Sequence, residues 1–339
     1  MYDVITIGDA MKDIFVFPSI DEMEKPIEGG KISPKDKDAS RHTKFLVFGY
    51  GDKITISDIH YDVGGTACNV AAGLAKLGLK TSIITTLGKD NEAQEILEKL
   101  RRVGVNTSNI KINKEKKTSF SVIISYKGER SILVFHSFGP EDFIIPKELE
   151  TGWIYLGPVG EGYKSLYSKI TSSAAEKNIK VALNPGAVQI HDGLISFGGL
   201  LRVTKILFVN KEEGQKLAGI SGVSTPREII EKLLAAGPEI VVITDGKEGA
   251  YAATEEEFFK VGAYPANKVE STGAGDAFAS AFLFGIIKDE KIFDCLKWGV
   301  VNSASAIEKY GAQEGLLGIT TIKRRAKEHK WPADTLRFS

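Results

Sequence analysis

Hydrophobic and polar positions alternate along the chain between short apolar runs and longer stretches of helical period. Residues 2 to 8, YDVITIG, form a Val- and Ile-rich run that closes on Gly8, as expected of a strand buried on both faces of an α/β sheet. From Thr66 to Leu77 small and apolar residues recur at helical spacing up to Gly78, a helix stop. SIITTLG then supplies the next strand, before a helix over about 91–103. After Gly139 the rhythm resumes with WIYLG, a helix near 161–178, KVALNPG, KILFVN, a helix near 225–236, and EIVVITDG. A hairpin, GAYAATEEEFFKVGAY, precedes two helical stretches over about 273–288 and 292–310. Strands that alternate with helices in this way predict a parallel sheet, because parallel neighbours need crossover connections.

Two segments break the rhythm. Between about Asp13 and Asp62, Pro18, Pro26, Gly29, Gly30 and Pro34 sit in a charged loop, and KFLVFGYGDKITISDI then reads as a hairpin turning at Gly49 to Asp52. TSFSVIISYKGERSILVFHS carries two alternating runs around Lys127 and Gly128, a second hairpin able to pair with the first. The predicted architecture is a three-layer α/β/α sandwich around a mostly parallel central sheet, with a small β-sheet lid. The core takes residues 1–13, 63–117 and 137–339, and the lid takes 14–62 and 118–136.

Composition narrows the function. The 339 residues are 42% apolar and 26% charged, enough side chains for a sizeable core. Lysine plus arginine equals aspartate plus glutamate at 44 each, so no global field draws the protein to nucleic acid or to an anionic membrane, and an anionic ligand must be held locally. Cys68 and Cys295 are far apart, which argues against a disulfide framework and predicts a reducing compartment. The start, MYDVITIGDAMKDIFVF, has acidic residues where a signal peptide needs basic ones. The longest apolar stretch, Phe278 to Ile287, is too short to span a bilayer, and a cytoplasmic location is expected. The five histidines show no H-x-H or H-E-x-x-H spacing.

The most informative string is ESTGAGDAFASAF. Gly273, Ala274 and Gly275 lie at the predicted start of a helix and Asp276 in its first turn. Small residues let backbone N–H groups approach an anion, and the positive end of the helix dipole adds to them. A carboxylate beside such an anion hole can take a proton from an attacking hydroxyl while the amides stabilise a transferring phosphoryl group. Asp276 is thus a candidate base; taken in isolation, the string is equally a glycine-rich helix entry with a capping Asp.

STGAGDAF resembles the C-terminal signature of the ribokinase-like, or PfkB, carbohydrate kinases, and GGTACNVAAGLAKLG at 64–78 resembles their N-terminal glycine pair. The likeness runs from residue 2 to about 315. It implies a ribokinase-like fold, an ATP site at the carboxyl ends of the strands, and a sugar or nucleoside clamped under a lid that subunits often share, hence a homodimer. It also implies transfer of the ATP γ-phosphate, with Mg²⁺, to a hydroxymethyl group.

By the same resemblance Asp276 is the catalytic base and Gly273, Ala274 and Gly275 the anion hole. Asn210 and Glu213, in VNKEEGQ, match an Asn-x-x-Glu motif that organises phosphate, water and Mg²⁺; the bare motif is equally a helix cap. Thr244, Gly246 and Gly249, in TDGKEG, resemble a phosphate-binding turn, and Asn302 falls where the family has an Asn near adenine. On the acceptor side Asp13 matches a sugar-hydroxyl contact. Gly64 and Gly65 match the lid hinge, and Asn69 can both donate to and accept from ring hydroxyls. Glu270 stands where the family usually has an Asp associated with a bound monovalent cation, with K⁺ the candidate, and is one methylene longer. HSFGPEDF lacks the Ala-Asn pair often seen after the second lid hairpin.

The residues speak against two other functions. A non-catalytic sugar or nucleoside sensor on the same fold needs no proton acceptor, and Asp276, Asn210 and Glu213 speak against it. A nicotinamide-dependent reductase predicts a glycine fingerprint after the first strand, which IGDAMKD does not provide.

Overall fold

The computed structural model describes residues 1–19, 50–126, 129–331 and 337–338. In it β1 (Tyr2–Ile7), β8 (Thr151–Leu156), β9 (Lys180–Leu183), β10 (Thr204–Asn210) and β11 (Ile240–Thr244) lie side by side and parallel, with β4 (Thr81–Leu87) and β5 (Ile110–Ile112) continuing beyond β1. Beyond β11 the sheet turns antiparallel through β12 (Ala250–Ala253), β13 (Phe258–Val261) and β14 (Arg337–Phe338). The predicted α/β/α sandwich and its mostly parallel sheet are what the chain forms.

The continuous apolar runs are explained by the two faces of that sheet. Val4, Ala182, Ile206 and Val242 point into one core, under α1 (Thr66–Lys76), α8 (Ala274–Ile287) and α9 (Ile292–Ala306). Their neighbours Ile5, Val181, Leu207 and Val241 point into the other, under α3 (Tyr163–Lys177) and α7 (Pro226–Leu234). With side chains alternating at period two, both faces must be apolar. Helix α8 lies deepest: nine of its fourteen residues, Ala277 through Gly285, are buried. Small residues permit this depth. A Cβ on Gly73 of α1 would lie 2.5 Å from Ser280 Oγ, and one on Gly299 of α9 would lie 2.7 Å from the Phe278 ring. Each fully buried Phe such as Phe282 contributes roughly 2 kcal/mol of hydrophobic stabilisation.

The remaining elements follow the same logic. Helix α2 (Asn91–Arg102) starts where Asp90 accepts from Ala93 N at 3.0 Å, and α4 (Ala187–Asp192) and α5 (Gly198–Leu201) are shorter than two turns. Helix α6 (Lys211–Leu217) opens from the end of β10, and α10 (Ile319–Glu328) closes the helical layer. No described helix is long and apolar enough to cross a membrane.

A separate four-stranded sheet takes the order β3-β2-β6-β7, from β2 (Met11–Pro18), β3 (Ile56–Gly64), β6 (Phe120–Tyr126) and β7 (Glu129–Phe135). This roof reaches further into the chain than expected. Its strands begin at Met11 and end at Gly64, so Asp13 stands on the roof and not at its border. Phe45, Val47 and Phe48, and the turn expected at Gly49, lie outside the described residues, apart from its last part at 50–52.

Candidate active site

A cavity of about 420 Å³ opens between the carboxyl ends of the sheet strands and the underside of the roof. Asn210 and Thr244 enter it at the ends of β10 and β11, and Gly273 to Asp276 form its floor at the start of α8. Asp13, Ser121 and Ile123 line it from the roof, and Gly65 and Asn69 from the start of α1. In open α/β sheets the strand ends are where ligands bind, because the connecting loops and helix N-termini meet there.

Gly273 caps α8 with φ +78°, a left-handed conformation that glycine adopts without strain. A Cβ there would also lie 2.4 Å from Ala312 Cβ. Three small residues, two of them glycine, thus line the cavity at the start of α8, and Asp276 lies within the first turn of that helix. Its Oδ2 accepts from Asn69 Nδ2 at 2.8 Å. Burial pushes the Asp276 carboxyl up to about 6, against the lowering by hydrogen bonds from Asn69 and Thr66, while the charge of Glu213 raises it further. A carboxylate poised in this range can exchange a proton near neutral pH.

At the roof end, Asp13 accepts from Ser121 Oγ at 2.6 Å, and burial raises its carboxyl to about 6 as well. Gly64 makes room for it, since a Cβ at 64 would lie 1.9 Å from Asp13 Oδ2. Gly65 has φ +94° and passes so close to Asp9 that a Cβ would lie 2.4 Å from its carbonyl oxygen. Gly64 itself is behind the wall of the cavity; Gly65 is on it.

At the strand ends, Asn210 and Glu213 cap one another. Asn210 Oδ1 accepts from Glu213 N and Glu213 Oε2 from Asn210 N, both at 2.9 Å. Both line the cavity, and burial pushes the Glu213 carboxyl up. TDGKEG folds as a single turn, with Thr244 on the cavity wall. Gly246 (φ +51°) and Gly249 (φ +94°) lie behind it, Gly249 against Val261 and Gly262.

Asn302 lies in the helix after Asp276, as read, but off the cavity. It is buried in α9, where its Nδ2 donates to Ala277 O at 2.8 Å and its Oδ1 accepts from Leu317 N at 2.9 Å. The side chain, which also donates to Ser280 Oγ at 3.4 Å, stitches α9 to α8 and to the following loop, and at 1% exposure it lies off the cavity wall. Glu270 also lies off the cavity wall. Its Oε1 accepts from Ser271 N (2.5 Å), Thr272 N (2.9 Å), Thr272 Oγ1 (3.0 Å) and Arg130 Nη1 (2.9 Å), whereas its Oε2 is buried with no partner.

Sequence reasoning gave no site role to Asp9 or Arg130, and it read His136 only as a side chain able to reach the substrate. Asp9 follows β1 and forms an ion pair with His136 Nδ1 at 3.2 Å, a contact that raises the affinity of the imidazole for its proton. Arg130 reaches from β7 to Glu270 and to Ser271 Oγ. All three line the cavity. The signal available was the strand alternation of SILVFH, which puts Ile132, Val134 and His136 on one face; the direction of that face was not in the sequence.

A roofed cavity at the strand ends, with a glycine-rich helix start beside a buried carboxylate, has the chemistry that a small-molecule kinase needs. Residues 37–317 match the family model described as pfkB family carbohydrate kinase, and the chain belongs to that family. A 5-dehydro-2-deoxygluconokinase of Shouchella clausii is 28% identical over 284 residues, covering 78% of this chain and 86% of that one. In fold the chain resembles the nucleoside kinase of Methanocaldococcus jannaschii, an archaeal member of the ribokinase family, with TM-score 0.77 and 19% identity over 96% and 99% of the two chains. The Arabidopsis thaliana ribokinase solved with ribose and ATP gives TM-score 0.75 and 20% identity over 97% and 99%.

Proposed function

We propose that the protein transfers the γ-phosphate of ATP to a hydroxymethyl group of a sugar or nucleoside, with Asp276 as general base. The observation that carries this is the placement of Asp276, raised to about 6, in the first turn of a helix whose start lines the same cavity. Asp276 takes the proton of the attacking hydroxyl, and the amides of Gly273, Ala274 and Gly275 stabilise charge on the phosphoryl oxygens in flight. Asp13, Gly65 and Asn69 hold the acceptor under the roof, with Gly64 giving Asp13 its place. Thr244 holds the nucleotide, with Gly246 and Gly249 shaping the turn behind it.

Mg²⁺ suits the acidic end of the cavity, where Glu213, with Asn210 beside it, would hold it through water. Bound there, it would neutralise phosphate charge. A monovalent cation such as K⁺ would satisfy Glu270 Oε2, the buried oxygen that has no partner. Closure of the roof over the acceptor excludes water and favours transfer over hydrolysis.

The roof also has an outer face. Strand register puts Tyr61, Ile14, Val122 and Leu133 in one row across it, with Tyr61 54% and Leu133 62% exposed. An apolar row of this kind is suited to a second copy of the chain, so the proposal includes a homodimer through the lid.

The decisive experiment is ATP-dependent phosphorylation across a panel that includes ribose, fructose, nucleosides and 5-dehydro-2-deoxygluconate, for wild type and Asp276→Asn. Turnover of one acceptor, reduced by roughly 10²- to 10⁴-fold in the variant, is the expected result. Activity that survives the substitution removes Asp276 as the base. Binding without turnover throughout the panel would favour a sensor.

A further inference from the structure

Three consecutive residues after α9 each touch a different part of the site. Gly311, at φ +90°, lies against Asp62 at the root of the roof, where a Cβ would be 1.9 Å from Oδ2. Ala312 packs on Gly273 of the anion hole. Gln313, 5% exposed, reaches the base through one intermediary: its Nε2 donates to Asn69 Oδ1 at 3.0 Å, and Asn69 Nδ2 donates to Asp276 Oδ2 at 2.8 Å.

The direction of this chain follows from donor and acceptor chemistry. The two ends of an Asn side chain have nearly the same shape, so the packing around Asn69 does not decide which end meets Asp276. Gln313 decides it. Its Nε2 faces three acceptors, Asn69 Oδ1, Val63 O at 3.3 Å and Cys68 Sγ at 3.7 Å, while its Oε1 is buried with no partner. With Oδ1 of Asn69 turned to that donor, only the NH₂ end remains for Asp276. The Val63 carbonyl belongs to β3, the last roof strand before α1, so the donor is also held by the root of the roof.

We propose that Gln313 is a positioning residue for the base: it fixes the Asn69 amide so that a donor faces Asp276, and thereby aims the carboxylate and favours its ionised form. The kinetic consequence rests on Asp276 being the base, but the hydrogen-bond relay can be measured without any acceptor. The other ionisable groups whose charge is felt at Asp276 or that feel its charge are Glu213 on α6, Asp13 on β2 and Tyr155 on β8, and the test leaves all of them in place.

The experiment is an NMR pH titration of protein carrying ¹³C-labelled aspartate, with the Asp276 carboxyl signal assigned by its loss in Asp276→Asn. Wild type should titrate near 6. Gln313→Met, which keeps the shape and removes the donor, should titrate about one pH unit higher. Asn69→Ala should move it at least as far, and the double variant no further than Asn69→Ala alone, because the two act in series. Gln313→Ala gives the same reading should the Met variant not fold, and thermal unfolding checks both. With an acceptor in hand, Gln313→Met should lower kcat about tenfold and leave the KM for ATP unchanged. An unmoved titration in a folded Gln313 variant, or effects that add in the double variant, overturns the proposal. Inactivity of Asp276→Asn with either of those results would retain the base and discard Gln313; full activity of Asp276→Asn with the predicted titrations would do the reverse.

Discussion

Arg130, on a roof strand, donates to Glu270 at 2.9 Å, so the roof is tied by an ion pair to the loop that leads into α8. The Glu270 side chain is 4% exposed and the Arg130 side chain 31%. The carboxylate is therefore the partner that suffers when the pair is broken, and solvent around Arg130 limits the loss. Arg130→Ala should lower kcat/KM about tenfold, corresponding to about 1.4 kcal/mol, through a loosened Ser271–Thr272 turn. Steady-state kinetics on the panel acceptor reads this directly, and unchanged constants would show that the contact serves only the resting state.

The two raised carboxyls set a pH dependence with a definite sign. If Asp276 must be ionised to accept a proton, kcat/KM should fall below about pH 6 and level off above it. Stability should run the opposite way. Asp13 and Asp276 hold their protons in the folded protein up to about 6, well above the unfolded reference of 3.8, so between these values the folded state binds more protons. Their burial therefore costs nothing below pH 4 and progressively more as pH rises through 6. Asp276→Asn should raise the melting temperature by a few degrees at pH 7.5 and by much less at pH 4, read by calorimetry at both values. A variant less stable than wild type at pH 7.5 would contradict the sign.

The outer row of the roof offers a test of assembly. Leu133→Asp places a charge on an exposed position of the outer face, opposite the face on which Ile132 and Val134 line the cavity. Sedimentation equilibrium should find wild type as a dimer and this variant as a monomer. A monomeric wild type at micromolar concentration would end the dimer proposal.

Much of this was legible in the chain because each signal was local. The Val- and Ile-rich runs had to be strands with two buried faces, and ESTGAGDAF had to begin a helix at Gly273, where only a residue free to take positive φ fits. Asn-x-x-Glu turned out to be the reciprocal cap that its spacing also allowed. Asn302 lies in the helix after Asp276, as read, but off the cavity, because a helical residue's neighbours depend on which way the helix faces, and α9 turns that side toward α8. Arg130 and Asp9 were missed for a related reason. Their roles come from the register of a roof laid across the sheet, a relation between residues more than 100 positions apart that no short string records.

The roof is joined to the sandwich by four chain crossings, from β1 into β2, from β3 into α1, from β5 into β6 and from β7 toward β8. A lid hung on one long linker must give up a wide range of orientations each time it shuts. One held at four points has already surrendered that freedom when the chain folds. Any closure of it would then be a matter of small rotations near Gly65 and its neighbours, and an acceptor bound beneath it would be spared most of the entropy of ordering a cover.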